Sequence, residues 1–387
     1  MLLSAEGYHL PMTGQDAISL TRSLLRFDTI NPPGRERDCA QMAGALLQQW
    51  GFQTEFHEYA DSRTSVIARL GTSDRKAPLC LTGHLDVVPL GSRSWSKDPF
   101  AGEADGDKLY GRGVSDMKSG VAAILLAARS FANKLNGTPG IVIVLTAGEE
   151  GGCVGSAQLA KTQLLGKAGA MVVGEPTSNY PLVGHKGSVK FHAHFKGVGA
   201  HGSMPELGVN AIYKAGKALS KLESFDFGVK AHAVMGKPTL NVGTMEGGNT
   251  VNAVPDAARI GVDIRTVPGM DHQDVLSKLK ALLGPDVQVD VFSNLKPVWT
   301  APDHEWIQRV FEICKPYVGE APAARTAPYM TDAANLLKVY AGAPTVVLGP
   351  GEAAMAHQTD EYASMERIRQ SVAIYEALIG DWIRPSG

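Results

Sequence analysis

Hydrophobic residues follow a helical period in some segments and form short unbroken runs in others. The helical period predicts amphipathic helices near residues 16–26, 37–50, 119–135 and 364–379. A strand is predicted near 65–70, and short apolar runs bounded by Gly or Pro lie at 78–81, 141–146, 170–173 and 345–348. Runs without alternation are typical of strands buried on both faces of a largely parallel sheet. The pattern therefore predicts an α/β domain.

The middle of the chain has a different pattern. Residues 188–196 alternate Val, Phe, Ala and Phe with Lys and His, which indicates a strand with one open face. The following elements are predicted as helix, strand, strand, helix and strand near 209–222, 239–244, 258–265, 272–283 and 287–292. This β-α-β-β-α-β order matches a ferredoxin-like α+β unit. We therefore predict an inserted domain over 184–294, with the main domain formed by 1–183 and 295–387.

Composition narrows the possible partners. The 387 residues suit two domains, and 37 Lys and Arg against 39 Asp and Glu leave a formal charge of −2. This balance argues against broad attraction to nucleic acid or to an anionic membrane. Residues 1–15 lack a cationic start followed by a long apolar run, and no later stretch could span a bilayer without a charge or a turn signal. We therefore expect a cytoplasmic protein with neither kind of partner.

The four cysteines, Cys39, Cys80, Cys153 and Cys314, are far apart and form no CxxC pair. This spacing argues against a zinc knuckle and against a disulfide framework, so reduced, mostly buried thiols are predicted. Cys153 lies close after a pair of glutamates, and we interpret it as a small packing residue.

Side chains of metal-binding types follow four of the apolar runs. They are His84 and Asp86 in GHLDVVP, Glu149 and Glu150 in TAGEEGG, Glu175 in VGEPT, and His357 in GPGEAAMAHQTDEY. Asp116 lies in a Gly-rich turn before the helix at 119–135. Because ligands bind at the carboxyl ends of strands in open α/β sheets, these dispersed positions could meet at one edge.

Imidazole and carboxylate ligands without thiolate favour a catalytic zinc or similar divalent ion. Two such ions roughly 3.5 to 4 Å apart need a bridging carboxylate, and together they polarise a carbonyl and activate water. In a pair of adjacent acids such as Glu149 and Glu150, one can bind metal while its neighbour serves as a general base. The residues therefore predict metal-assisted hydrolysis.

These segments resemble those of the M20 metallopeptidase family, specifically the acetylornithine deacetylase and succinyl-diaminopimelate desuccinylase group. The resemblance also covers WSKDPF, LYGRGVSDMKSG, GAHGSMPELGVNAI, NTVNAVPD and VDIRTVPG, and so spans nearly the whole chain. It implies a mostly parallel-sheet, zinc-peptidase-like catalytic domain with an inserted α+β ferredoxin-like lid and dimerisation domain. The implied cofactors are two Zn²⁺ ions, for which Co²⁺ or Mn²⁺ could substitute.

The resemblance also implies a role for each site residue. His84, Asp116 and Glu175 would hold one zinc, and Asp116, Glu150 and His357 the other. The implied catalytic and substrate-binding residues are Asp86, which orients His84, Glu149 as general base, His201 acting in the active site of the partner subunit, and Asn252 and Arg265 as substrate binders. Arg265 has an alternative interpretation as an ion-pair partner of Asp263. A cis peptide bond is expected between Asp116 and Met117.

The expected activity is removal of an N-acyl group from an amino acid, with acetylornithine as the preferred substrate. The alternatives are a succinyl-diaminopimelate desuccinylase, a dipeptidase or a glutamate-type carboxypeptidase, which need the same metals and differ in the pocket. A further alternative is a metal-binding scaffold without turnover. The resemblance implies a homodimer formed through the inserted domain.

Overall fold

A computed structural model describes residues 16–71, 73 and 75–384, so the predictions for residues 1–15 lie outside the described part of the chain. The chain forms two compact units. Unit 1 contains the described residues up to Gly184, then Trp299–Ala327 and the residues from Thr331 onward. Unit 2 contains His185–Val298 and Pro328–Met330. Among the described helices, none has the length and apolar character needed to cross a membrane.

The elements have the following bounds. The α-helices are α1 Ala17–Leu25, α2 Arg37–Gln49, α3 Ser119–Phe131, α4 Val154–Leu159, α5 Ala211–Glu223, α6 His272–Leu283, α7 Glu305–Val318, α8 Ala333–Leu336 and α9 Met365–Trp382. The strands are β1 Gln53–Ala60, β2 Arg63–Leu70, β3 Leu79–His84, β4 Ala104–Asp105, β5 Lys108–Tyr110, β6 Ile141–Thr146, β7 Ala170–Val173, β8 Gly184–His185, β9 Gly187–Lys196, β10 Ala200–His201, β11 Thr239–Gly247, β12 Ala253–Val254, β13 Ala257–Thr266, β14 Gln288–Leu295, β15 Val298–Trp299, β16 Thr345–Val347 and β17 Tyr362–Ser364.

Unit 1 is built on a six-stranded sheet in the order β1-β2-β6-β3-β7-β16. The strands β6, β3, β7 and β16 are parallel, and every residue of these four strands is buried. This arrangement confirms the prediction made from the unbroken apolar runs. Helix α3 packs against α9, and its first ten residues are buried because they are small or apolar.

The predictions missed several elements of unit 1, among them β1 and α7. Strand β1 contains mostly exposed or half-buried residues and forms by antiparallel pairing with β2, so its sequence has no apolar face to reveal it. Helix α7 buries Trp306, Ile307, Val310, Phe311 and Cys314, which do follow a helical period. The helix predicted over 119–135 is shorter in the structure. The α-helix ends at Phe131, and a short 3₁₀ turn over Ala132–Lys134 follows it.

Unit 2 contains a four-stranded antiparallel sheet in the order β11-β13-β9-β14. Helices α5 and α6 share an apolar core with β9 and β13, in which Phe191, Ile260 and Ile264 are fully buried. The order of elements confirms the predicted ferredoxin-like β-α-β-β-α-β unit. The inserted unit runs from His185 to Val298, where the sequence suggested 184–294.

A buried carboxylate fixes the turn that precedes α3. Glu361 accepts hydrogen bonds from the main-chain amides of Gly113 at 2.9 Å, Ser115 at 2.8 Å and Asp116 at 3.1 Å. Its Oε2 also pairs with Nη1 of Arg112 at 2.7 Å, and both side chains are about 1% exposed. Breaking this pair would leave a buried guanidinium without its counter-charge, so Glu361 is expected to be important for stability.

Replacing Glu361 with Gln is expected to lower the free energy of unfolding by about 3 to 5 kcal/mol, because it leaves the buried Arg112 without its counter-charge. Urea unfolding followed by circular dichroism measures the change. The control is Glu320→Gln, which removes a half-exposed ion pair with Arg325 and should cost about 1 kcal/mol or less. Equal effects of the two substitutions would contradict the prediction.

Candidate active site

The acids and imidazoles singled out in unit 1 lie at the carboxyl edge of the parallel strands. His84 is the last residue of β3, Glu149 and Glu150 follow β6, Glu175 follows β7, His357 lies in the loop after β16, and Asp116 lies in the turn before α3. Adjacent parallel strands end at the same edge, which brings residues that are distant in the chain close together.

Asp116 is the centre of the cluster. Its Oδ1 lies 3.0 Å from Nε2 of His84, and its Oδ2 lies 3.5 Å from Nε2 of His357. His84 is also 3.8 Å from Oε1 of Glu175, and His357 is 3.1 Å from Oε2 of Glu150. The two oxygens of Asp116 therefore face two different imidazoles. The peptide bond from Asp116 to Met117 is cis, as expected.

Asp86 lies beside His84, as its implied role requires. The nitrogen Nδ1 of His84 hydrogen-bonds the main-chain carbonyl of Asp86 at 2.9 Å, whereas the nearest carboxylate oxygen of Asp86 is 3.7 Å away. The carboxylate instead accepts the amides of Glu149 at 3.0 Å and Glu150 at 3.1 Å, and Nδ2 of Asn31 at 2.8 Å. The carbonyl is therefore the nearer contact of the imidazole, and the role of the Asp86 carboxylate toward His84 stays a prediction.

Burial and crowding shift the protonation of the cluster. Burial raises the pKa of Glu149 well above its usual value, and the neighbouring charges of Asp332 and Glu150 act in the same direction. Burial also raises the pKa of Glu175, with the charge of Asp116 adding to it. Hydrogen bonds to Asp116 and Glu150 raise the pKa of His357 to about 10. The cavity therefore favours added positive charge.

These residues fit a divalent metal site. His84, Asp116 and Glu150 each place a potential ligand atom within 4.8 Å of the others. Oε1 of Glu150 is buried, and no group in the described part of the chain donates a hydrogen bond to it. A buried carboxylate oxygen without a donor is costly unless a cation satisfies it. Imidazole and carboxylate donors without thiolate suit zinc and other divalent ions.

The other three predicted site residues lie in unit 2. His201 is exposed, and its Nδ1 is 2.7 Å from the hydroxyl of Ser203. The exposed Asn252 accepts a hydrogen bond from the hydroxyl of Thr250 at 2.6 Å. Arg265 pairs with Oδ2 of Asp263 at 2.9 Å, which is the alternative interpretation weighed for it. Their roles toward a substrate stay predictions.

The sequence analysis missed several residues that support the cluster. Asn31 holds Asp86, and Glu361 holds the turn that carries Asp116. Glu36 accepts the amide of Gly148 at 3.1 Å and pairs with Arg63. Asn31 lies in the Pro- and Gly-rich segment TINPPG, and Glu361 follows His357 by four residues, so nearby sequence features could have pointed to both. Nothing in the sequence singled out Glu36.

Cys153 was interpreted as a packing residue. It is buried, but its Sγ lies 3.2 Å from Oε1 of Glu149, so the thiol contacts one of the acids of the cluster.

Comparisons with known proteins identify related enzymes. A probable succinyl-diaminopimelate desuccinylase from Staphylococcus epidermidis is 31% identical to the chain, covering 94% of it and 97% of the relative. An acetylornithine deacetylase from Photorhabdus laumondii is also 31% identical, covering 87% of the chain and 88% of the relative. The two similarities are equal in identity and name different substrates.

Solved structures share the fold. An M20 family metallo-carboxypeptidase from Sulfolobus solfataricus superposes with a TM-score of 0.79 at 19% identity, covering 95% of this chain and 99% of that one. A dinuclear metal-binding M20 peptidase from Bacillus subtilis gives a TM-score of 0.69 at 16% identity, covering 95% and 97%. The sequence profile of Peptidase family M20/M25/M40 matches residues 80–381. The chain therefore belongs to peptidase family M20/M25/M40 and is a hydrolase that acts on amide bonds.

Proposed function

We propose that the protein is a di-zinc amidohydrolase that removes an N-acyl group from an amino acid, with acetylornithine as its substrate. The observation that carries the proposal is the convergence of Asp116 with His84, His357 and Glu150 at one edge of the sheet. The acetylornithine deacetylases among the relatives support the choice of substrate.

In this proposal His84, Asp116 and Glu175 would hold one ion, and Asp116, Glu150 and His357 would hold the other; the short distances among these side chains support the assignment. When bound, the pair polarises the scissile carbonyl and lowers the pKa of water. The contact between Nδ1 of His84 and the Asp86 carbonyl supports this assignment, because it directs Nε2 toward Asp116 and Glu175.

Glu149 is the general base of the proposed reaction. It takes a proton from water and later delivers it to the leaving amine. Burial raises the pKa of Glu149, which brings it closer to the range in which a carboxyl can both accept and release a proton near neutral pH. The main-chain amide of Glu149 donates a hydrogen bond to the carboxylate of Asp86, which fixes the backbone that carries the base.

Unit 2 supplies substrate recognition and dimerisation in this proposal. Arg265 and Asn252 bind the carboxylate of the substrate, for which a guanidinium offers two parallel donors. His201 stabilises the oxyanion in the active site of the partner subunit. Unit 2 exposes apolar side chains close to His201 in sequence, which supports a subunit interface; they are Val198, Met204, Leu207, Val209 and Tyr213.

The desuccinylase alternative needs the same metals and base, and it is favoured by the relative from Staphylococcus epidermidis. A dipeptidase or carboxypeptidase differs in the pocket alone. A scaffold without turnover is disfavoured, because the matching family and the relatives are hydrolases of amide bonds.

Replacing Glu149 with Gln is expected to lower kcat roughly 100- to 10,000-fold while the bound metal is retained, because the substitution removes only the proton carrier. The matched substitution Glu150→Gln should lower the metal content. Mass spectrometry of the metals and a deacylation assay measure the two effects. Wild-type turnover by Glu149→Gln would refute the base, and full metal content in Glu150→Gln would refute the ligand set.

The substrate assignment is tested with acetylornithine, succinyl-diaminopimelate and a set of dipeptides. We expect kcat/KM for acetylornithine to exceed the others by roughly tenfold or more, since a pocket built for one side chain leaves polar groups unpaired with another. A higher kcat/KM for succinyl-diaminopimelate or for a dipeptide would replace the proposed substrate.

Action of His201 across a dimer is tested by subunit complementation. His201→Ala and Glu149→Gln should each be nearly inactive, because each site then lacks one required group. Co-expressed together, they should recover roughly one quarter of wild-type activity, since half of the dimers are mixed and each mixed dimer has one intact site. Sedimentation verifies the dimer. No recovery in verified mixed dimers would show that His201 does not act across the interface.

A further inference from the structure

The loop after β6 contains a side chain in a conformation that favours glycine. Gly148 and Gly152 adopt φ angles of 73° and 103°, and Cys153 follows with φ 59° and ψ 37°. An L residue rarely adopts this left-handed region, since its Cβ crowds the backbone. Glycine would adopt this conformation without strain. A cysteine at this position therefore suggests a function for its side chain.

The thiol contacts Glu149, the general base of the proposed function. Sγ of Cys153 donates to Oε1 of Glu149 at 3.2 Å. The amide of Cys153 also donates to the main-chain carbonyl of Glu149 at 2.7 Å. Cys153 therefore holds both the main chain and the side chain of the same residue.

A side chain of α8 hydrogen-bonds the main chain of Cys153. Nδ2 of Asn335 donates to the carbonyl of Cys153 at 3.0 Å and to the hydroxyl of Ser156 at 3.1 Å. The hydroxyls of Ser156 and Thr146 both donate to the carboxylate of Asp332. Thr146 ends β6 and Ser156 lies in α4, so Asp332 connects the two ends of the loop that carries Glu149.

The thiol acts as a neutral donor. Cys153 is 2% exposed, and burial together with the charge of Glu149 raises its pKa well above the usual value. A thiol kept protonated is a poor nucleophile and remains available as an S–H donor.

We propose that Cys153 is a positioning residue, which fixes the rotamer of Glu149 through its S–H group while Asn335 and Asp332 hold the Cys153 loop. The inference rests on the proposed function for the role of Glu149. With Oε1 held by the thiol, Oε2 is the oxygen that exchanges the proton with water and with the leaving amine.

The kinetic test compares Cys153→Ala with Cys153→Ser. Alanine removes the donor and should lower kcat roughly tenfold or more with little change in KM, because a misplaced catalytic group slows the chemical step. Serine keeps a donor and should restore most of kcat. The matched control Cys314→Ala removes another buried thiol of unit 1 and should leave kcat unchanged. A wild-type kcat for Cys153→Ala, or an equal loss in Cys153→Ser, would overturn the proposal.

The spectroscopic test does not depend on turnover. The infrared S–H stretching band of Cys153 is identified by subtracting the spectrum of Cys153→Ala from that of the wild type. We expect this band at a lower frequency than the bands of the other buried thiols, and we expect Glu149→Ala to move it upward. A band that Glu149→Ala leaves in place would overturn the proposal. If the wild type hydrolyses no N-acyl substrate, the proposed function fails, while the thiol contact is still judged by this band.

Discussion

The crowding of carboxylates at one buried edge of a sheet is the constraint on which the site depends. Asp116, Glu150 and Glu175 lie around two imidazoles, with Glu149 beside them. Burial and mutual repulsion make several negative charges in one place unfavourable, and a positive charge between them relieves that cost. Burial raises the pKa of Glu149 and of Glu175 for this reason, and Oε1 of Glu150 is buried without a hydrogen-bond donor among the described residues.

A second set of carboxylates supports the first from behind. Asp86 holds the amides of Glu149 and Glu150, Glu361 holds the turn of Asp116, and Glu36 holds the amide of Gly148. In each case a buried acid satisfies main-chain donors that a tight turn leaves without carbonyl partners. The supporting acids therefore fix the main chain from which each side chain of the site projects. Catalysis requires side chains held in such a defined geometry.

Much of this was predictable from the chain because it depends on local pattern. Unbroken apolar runs predicted the buried parallel strands, and their carboxyl ends predicted where His84, Glu150, Glu175 and His357 would meet. The alternating pattern of β9 and the elements after it predicted the ferredoxin-like unit. These inferences succeed because strand ends share an edge whatever the details of packing.

The supporting contacts were decided by the tertiary structure alone. The resemblance implied that Asp86 orients His84, but it did not reveal that the carboxylate also accepts the amides of Glu149 and Glu150, or that the carbonyl is the nearer contact of the imidazole. Glu36 and Asp332 have no neighbours in sequence that reveal their partners. A hydrogen bond requires two groups within about 3 Å at the correct angle. Chain spacing determines which residues reach the same edge of the sheet, whereas only packing determines which atoms come that close.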